Sequence, residues 1–106
     1  MEMREYDITS HKITITDADG GPLDLTDYII TVKTKNSSSI KTWTSITYEE
    51  DDPTTGIFFV ELDLVAIPLQ VGAHTFEVYL DGSSAAIGAQ TVIYETLIIK
   101  ESFANE

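Results

Sequence analysis

The stretch that most constrains this chain is Tyr28-Ile29-Ile30-Thr31-Val32-Lys33-Thr34-Lys35. A period of two puts Tyr28, Ile30 and Val32 on one side of an extended backbone and Thr31, Lys33 and Lys35 on the other. A helix would scatter these residues around its axis, so the stretch reads as a strand with a dry face and a wet face. The pattern recurs. Ile13-Thr14-Ile15-Thr16 alternates, Ile57 to Leu64 puts Phe58, Val60, Leu62 and Leu64 together, and His74 to Leu80 sets Phe76, Val78 and Leu80 opposite Thr75, Glu77 and Tyr79. Ile40 to Tyr48 is a weaker strand, and Ala89 to Lys100 is the last. Thr, Ile, Val, Tyr, Phe and Trp supply 43 of the 106 residues, whereas Ala and Leu supply 14, which favours a pleated surface over helices.

Turn chemistry separates the strands. Asp17-Ala18-Asp19-Gly20-Gly21-Pro22, Asn36-Ser37-Ser38-Ser39, Glu49 to Gly56 and Asp81-Gly82-Ser83-Ser84 are rich in residues that cap turns, accept positive φ or remove a donor. About seven short strands spaced by such signals predict an all-β fold, an immunoglobulin-like antiparallel β-sandwich, with a small barrel as the alternative. No internal repeat is evident. The length suits one domain spanning residues 1–106. Tyr6 and Ile8 share one parity and Ile13 and Ile15 the other. That mismatch predicts a bulge or break at Ser10-His11, with residues 1–10 as a frayed terminus or an arm that docks on a neighbouring subunit.

Composition removes several functions. There is no cysteine, so disulfides, thiol catalysis and thiolate metal sites are excluded. The two histidines, His11 and His74, are too few for an imidazole-rich metal site. A net charge of −12 repels phosphate backbones and anionic lipid, so neither a nucleic acid nor a membrane is expected as partner. The charged start, without an apolar run behind it, does not read as a signal peptide, and synthesis in a cytoplasm is expected.

The candidate sites for chemistry are weak. Asp17, Asp19 and Asp24 with Gly20 and Gly21 resemble a calcium loop, but the twelfth position is Tyr28 where a bidentate acid is needed, so the segment reads as a solvated turn. Glu49-Glu50-Asp51-Asp52 reads as a solvated acidic loop. Neither histidine sits in a nucleophile elbow and no glycine-rich loop precedes a helix, so no catalytic, metal or cofactor-binding residue is assigned and no enzyme is expected. Trp43 reads as a core pin. A sugar-stacking platform built on it, in a carbohydrate or cell-surface binding module, is the alternative from another functional class.

More informative is hydrophobicity on both sides of a strand. Ile57-Phe58-Phe59-Val60, Val92-Ile93-Tyr94 and Leu97-Ile98-Ile99 are apolar at successive positions, although an isolated sandwich strand has a wet outer face. Phe58, Val60, Phe76, Val78 and Trp43 are assigned to the core. Ile57, Phe59, Tyr79 and Ile98 are the candidate interface residues, buried against another chain. A bulge or closed barrel that hides both faces is the alternative.

The segment Ile13 to Tyr28, with its strand, its Asp19-Gly20 turn and Pro22-Leu23-Asp24-Leu25-Thr26, resembles the opening of immunoglobulin-like domains in tailed-phage virion proteins. It is similar to the N-terminal domain of upper baseplate proteins. Gly56 before a β-run, Gly72 before His74-Thr75-Phe76-Glu77-Val78, and the closing Glu95 to Lys100 agree with that pattern across residues 13–100. Asp27 stands where the pattern has glycine, and Asp tolerates a left-handed backbone better than most residues. The resemblance implies a structural subunit of a phage-like virion, in the tail or baseplate, with head decoration, cement or neck as alternatives. Its expected partners are other virion structural proteins, in a homo-oligomer or symmetric array. Upper baseplate proteins carry further domains, so this chain is expected to be a stand-alone version.

Overall fold

The alternating segments pair into two sheets in a computed structural model that describes residues 1–82 and 88–102. Among the described residues eight strands form: β1 (Glu2–Arg4), β2 (Ile8–Thr14), β3 (Ile29–Lys35), β4 (Ile40–Trp43), β5 (Ile46–Tyr48), β6 (Ile57–Asp63), β7 (Gly72–Asp81) and β8 (Ala89–Lys100). The larger sheet has the order β1-β8-β7-β3-β4 and the smaller one β2-β6-β5. Every strand pair is antiparallel except β1 with β8, which is parallel. The third, seventh and eighth strands share one sheet while the second and sixth share the other. This is the connectivity of an immunoglobulin-like sandwich with one extra edge strand beside the third.

The dry parity of each strand fills the space between the sheets. Phe58, Val60 and Leu62 of β6 face Val32, Phe76, Val78 and Leu80 of the larger sheet, with Leu97 and Ile99 of β8 beside them. All nine are essentially inaccessible to water. Burying a side chain of this size contributes about 1.5–3 kcal/mol, so the alternation itself holds the sheets together. Trp43 is 3% exposed and belongs to this core. Its indole Nε1–H donates to the buried Thr34 hydroxyl at 2.9 Å, so two polar groups from adjacent strands satisfy each other.

Three expectations are corrected. The N-terminal residues are neither frayed nor an outgoing arm: β1 pairs with β8 of the same chain, and Met3 is buried. No bulge interrupts β2 at Ser10-His11, since the register with β6 is continuous from Ile8 to Thr14. Tyr6 and Ile8 simply face water, and the chain reverses between β1 and β2 with Tyr6 at φ 67°. The Ile40–Tyr48 segment is two strands. It breaks at Thr44-Ser45 and crosses from the larger sheet to the smaller one, because Trp43 is committed to the core beside Val32 while Ile46 pairs with Val60. The expected hairpin turn at Asp81-Gly82-Ser83-Ser84 lies partly outside the described residues. Asp27 does not use a left-handed backbone; the Tyr28 amide closes the turn on the Leu25 carbonyl at 3.1 Å.

Candidate assembly surfaces

Period two also decides what each outer face displays. On β6 the outward residues are Ile57, Phe59, Glu61 and Asp63. Phe59 lies between Lys12 of β2 and Thr47 of β5, and Ile57 lies opposite Thr14. Both side chains are half-buried, because directly opposed residues on a sheet face cover one another even without a second layer. On the larger sheet Tyr79 and Ile98 point outward and are 39% and 36% exposed. The four candidate interface residues therefore do not form one patch. Ile57 and Phe59 mark the outer face of the smaller sheet, while Tyr79 and Ile98 mark the outer face of the larger sheet, on the opposite side of the sandwich.

The two-sided run Val92-Ile93-Tyr94 has a local cause. The register of β7 with β8 shifts between Val78 and Tyr79: Val78 pairs with Ile93 but Tyr79 pairs with Thr91. Val92 is the extra residue of a β-bulge, which lets Val92 and Ile93 both pack partly against the core.

Residues outside the four strengthen the larger face. Ile29 is 62% exposed and Tyr94 is 71% exposed. With Tyr79 they occupy diagonal positions on β3, β7 and β8, a line of apolar surface across three strands. Ile29 was detectable in the sequence, because it shares the wet parity of Thr31, Lys33 and Lys35. Beside this line is a shallow groove of about 340 Å³ lined by Thr31, Lys33, Lys35, Glu77, Tyr79 and Thr91. The Lys35 ammonium lies 2.8 Å from the Glu77 carboxylate. Lys33 is directly across from Glu77 in the register, is half-buried, and makes no ion pair among the described residues.

The two faces differ in charge. The larger face presents Lys33 and Lys35, with Arg4 and Lys100 nearer its edge, against Glu2, Glu77 and Asp81. In a chain of net charge −12 this is a local balance far from the average. The smaller face presents Glu61 and Asp63, flanked by the acidic turn Glu49–Asp51 after β5. Among the described residues Lys12 is the cation on that face, 3.9 Å from Glu49.

The other sequence candidates resolve into structural roles. The Asp17 carboxylate accepts the Asp19 and Gly21 amides at 2.9 and 3.1 Å, so it organises its own turn. The Thr26 hydroxyl and amide hold the Asp24 carboxyl below its ordinary value, and Thr54 does the same for Asp52. Among the described residues no group of three or more His, Asp or Glu is arranged to hold a metal ion. His74 Nε2 contacts the Gln70 carbonyl at 2.8 Å. His11 packs on Phe76, and its Nε2 is buried without a hydrogen-bond partner among the described residues. Burial, and then the positive chain terminus, lower its pKa. Trp43, enclosed between the sheets, offers no face for a sugar to stack on. No helix among the described residues is long and apolar enough to cross a membrane. Compared with known proteins, the chain matches no family model and no curated protein.

Proposed function

We propose that this chain is a non-enzymatic structural subunit of a phage-like virion, in the tail or baseplate, that assembles through the outer faces of its sandwich. The observation that carries the reading is the placement of apolar side chains on both outer faces: Ile57 and Phe59 on one, Ile29, Tyr79, Tyr94 and Ile98 on the other. A subunit with two different sticky faces makes heterologous contacts, which close into rings or continue as stacks. Repetition then supplies avidity that no single contact needs to provide. The similarity of Ile13 to Tyr28 to phage immunoglobulin-like domains supports the virion setting and the tail or baseplate over head decoration.

The test is particle composition. Phage-like particles are purified from the cells whose genome encodes this chain, and their protein content is quantified by mass spectrometry. The reading expects the chain at a fixed copy number per particle, rising and falling with tail proteins in fractionated heads and tails. Absence from intact particles would reject it.

A further inference from the structure

We infer that the groove-bearing face of the larger sheet docks onto the acidic outer face of the smaller sheet of a second copy of this chain, head to tail. The inference rests on the assembly reading above and names the partner for both faces. Three observations lead to it. The first is charge. Lys33 is half-buried and unpaired among the described residues at the groove, and Lys35 lies beside it. The opposite side of the sandwich carries Glu61, Asp63 and the acidic turn from Glu49. Stacking unlike faces brings these opposite charges together. Stacking the smaller face on its own copy would instead bring two acidic faces together, so a two-fold interface there is disfavoured.

The second is apolar matching. The diagonal line of Ile29, Tyr79 and Tyr94 meets a face whose apolar residues are Ile8, Ile57 and Phe59. Tyrosine suits such a contact, with a broad ring for the apolar side and a hydroxyl for the polar rim. The third is size. The smaller sheet sets the limit: its strands of seven, seven and three residues, about 4.8 Å apart with a rise of about 3.3 Å per residue, give roughly 270 Å² before side-chain relief is counted. That is well below the ~800 Å² per partner of stable specific interfaces, so each contact is weak and repetition along a stack holds the assembly together.

The test uses sedimentation velocity on the full chain at physiological ionic strength. The variants are Lys33→Glu on the larger face and Glu61→Lys on the smaller one. Thr91→Glu, at an exposed groove position away from Glu77, stands in if Lys33→Glu does not fold by circular dichroism. The inference expects concentration-dependent assembly of the wild type, and at least a tenfold weaker association for each variant alone. It also expects an equimolar mixture of Lys33→Glu and Glu61→Lys to associate more strongly than either variant alone, because the unaltered larger face of one meets the unaltered smaller face of the other and the two reversed charges are opposite in sign. A strictly monomeric wild type, groove variants that assemble like the wild type, or a mixture that stays monomeric would each overturn head-to-tail docking. Particle composition decides the virion reading independently of all three.

Discussion

The amide of Ile15 donates to the carbonyl of Gly56 at 2.8 Å, and the Ile15 carbonyl receives the Leu23 amide at 3.1 Å. Three separate segments thus meet at one backbone crossing: the residue just past the second strand, the Pro22-Leu23 stretch after the Asp-Gly turn, and the residue just before β6. The Leu25 amide adds a bond to the Pro53 carbonyl at 2.9 Å. Gly56 has φ 71°, and a Cβ placed on it would lie 2.6 Å from the Ile15 carbonyl oxygen and 3.0 Å from the Leu23 amide nitrogen. Both obstacles are backbone, so they cannot swing aside.

Gly56→Ala is accordingly expected to cost about 2–4 kcal/mol, combining left-handed strain with a steric clash at a fixed crossing. Urea denaturation followed by tryptophan fluorescence measures it. A loss under 1 kcal/mol would mean that the crossing relaxes easily.

The Trp43–Thr34 hydrogen bond predicts a double-mutant cycle. Trp43→Phe leaves the buried Thr34 hydroxyl without its partner and opens space, and is expected to cost about 2–4 kcal/mol. Thr34→Val in the Trp43→Phe background removes the orphaned hydroxyl and should restore about 1 kcal/mol. Equilibrium denaturation of the four proteins gives the coupling. Strict additivity would show that the bond contributes nothing beyond packing.

Glu50 sits in the acidic turn at φ 55° and ψ 24°, a left-handed conformation that L-residues other than Asn and Asp adopt at a cost. Glu50→Gly relieves that strain and removes one negative charge from an acidic cluster. It is expected to raise stability by about 1 kcal/mol, read as a higher denaturation midpoint. An unchanged or lower midpoint would count against stored strain in this turn.

His11 supplies a pH dependence. Its folded-state pKa is lowered from 6.5 by burial first and the chain terminus second. The unfolded chain therefore binds the proton more readily than the folded one. Stability should be unaffected by this group above its ordinary value and fall as pH drops below it, levelling only beneath the folded pKa. The shifted carboxyls, Asp24 and Asp52, are lowered from 3.8 and act in a more acidic window. Denaturation midpoints between pH 8 and pH 5 should decline for the wild type and decline less for His11→Phe. Equal slopes would remove His11 from the account.

Alternation made the fold legible, because a two-sheet core needs one dry parity per strand and the long strands supply it plainly: Phe58-Val60-Leu62 and Phe76-Val78-Leu80 lie where parity puts them. Parity misled at Tyr6 and Ile8, since an apolar side chain on an outer face looks like a core residue until its pairing is known. It could not show the break after Trp43, which comes from a strand changing sheets, nor the bulge at Val92, which depends on the register with β7. The surfaces were partly legible. Ile57, Phe59, Tyr79 and Ile98 were singled out by their position, but their division between opposite faces follows from strand order, a long-range property.

The central claim is that both broad faces are covered when the protein is in use, and the absence of native cysteine makes it directly measurable. Ser10→Cys on the smaller face and Thr91→Cys on the larger one place single thiols at exposed positions. Their maleimide labelling rates are compared in the isolated chain and in purified particles. The account predicts slow labelling at both positions in the particle and fast labelling in the isolated chain at low concentration. Rates that are equally fast in both states at both positions would contradict it.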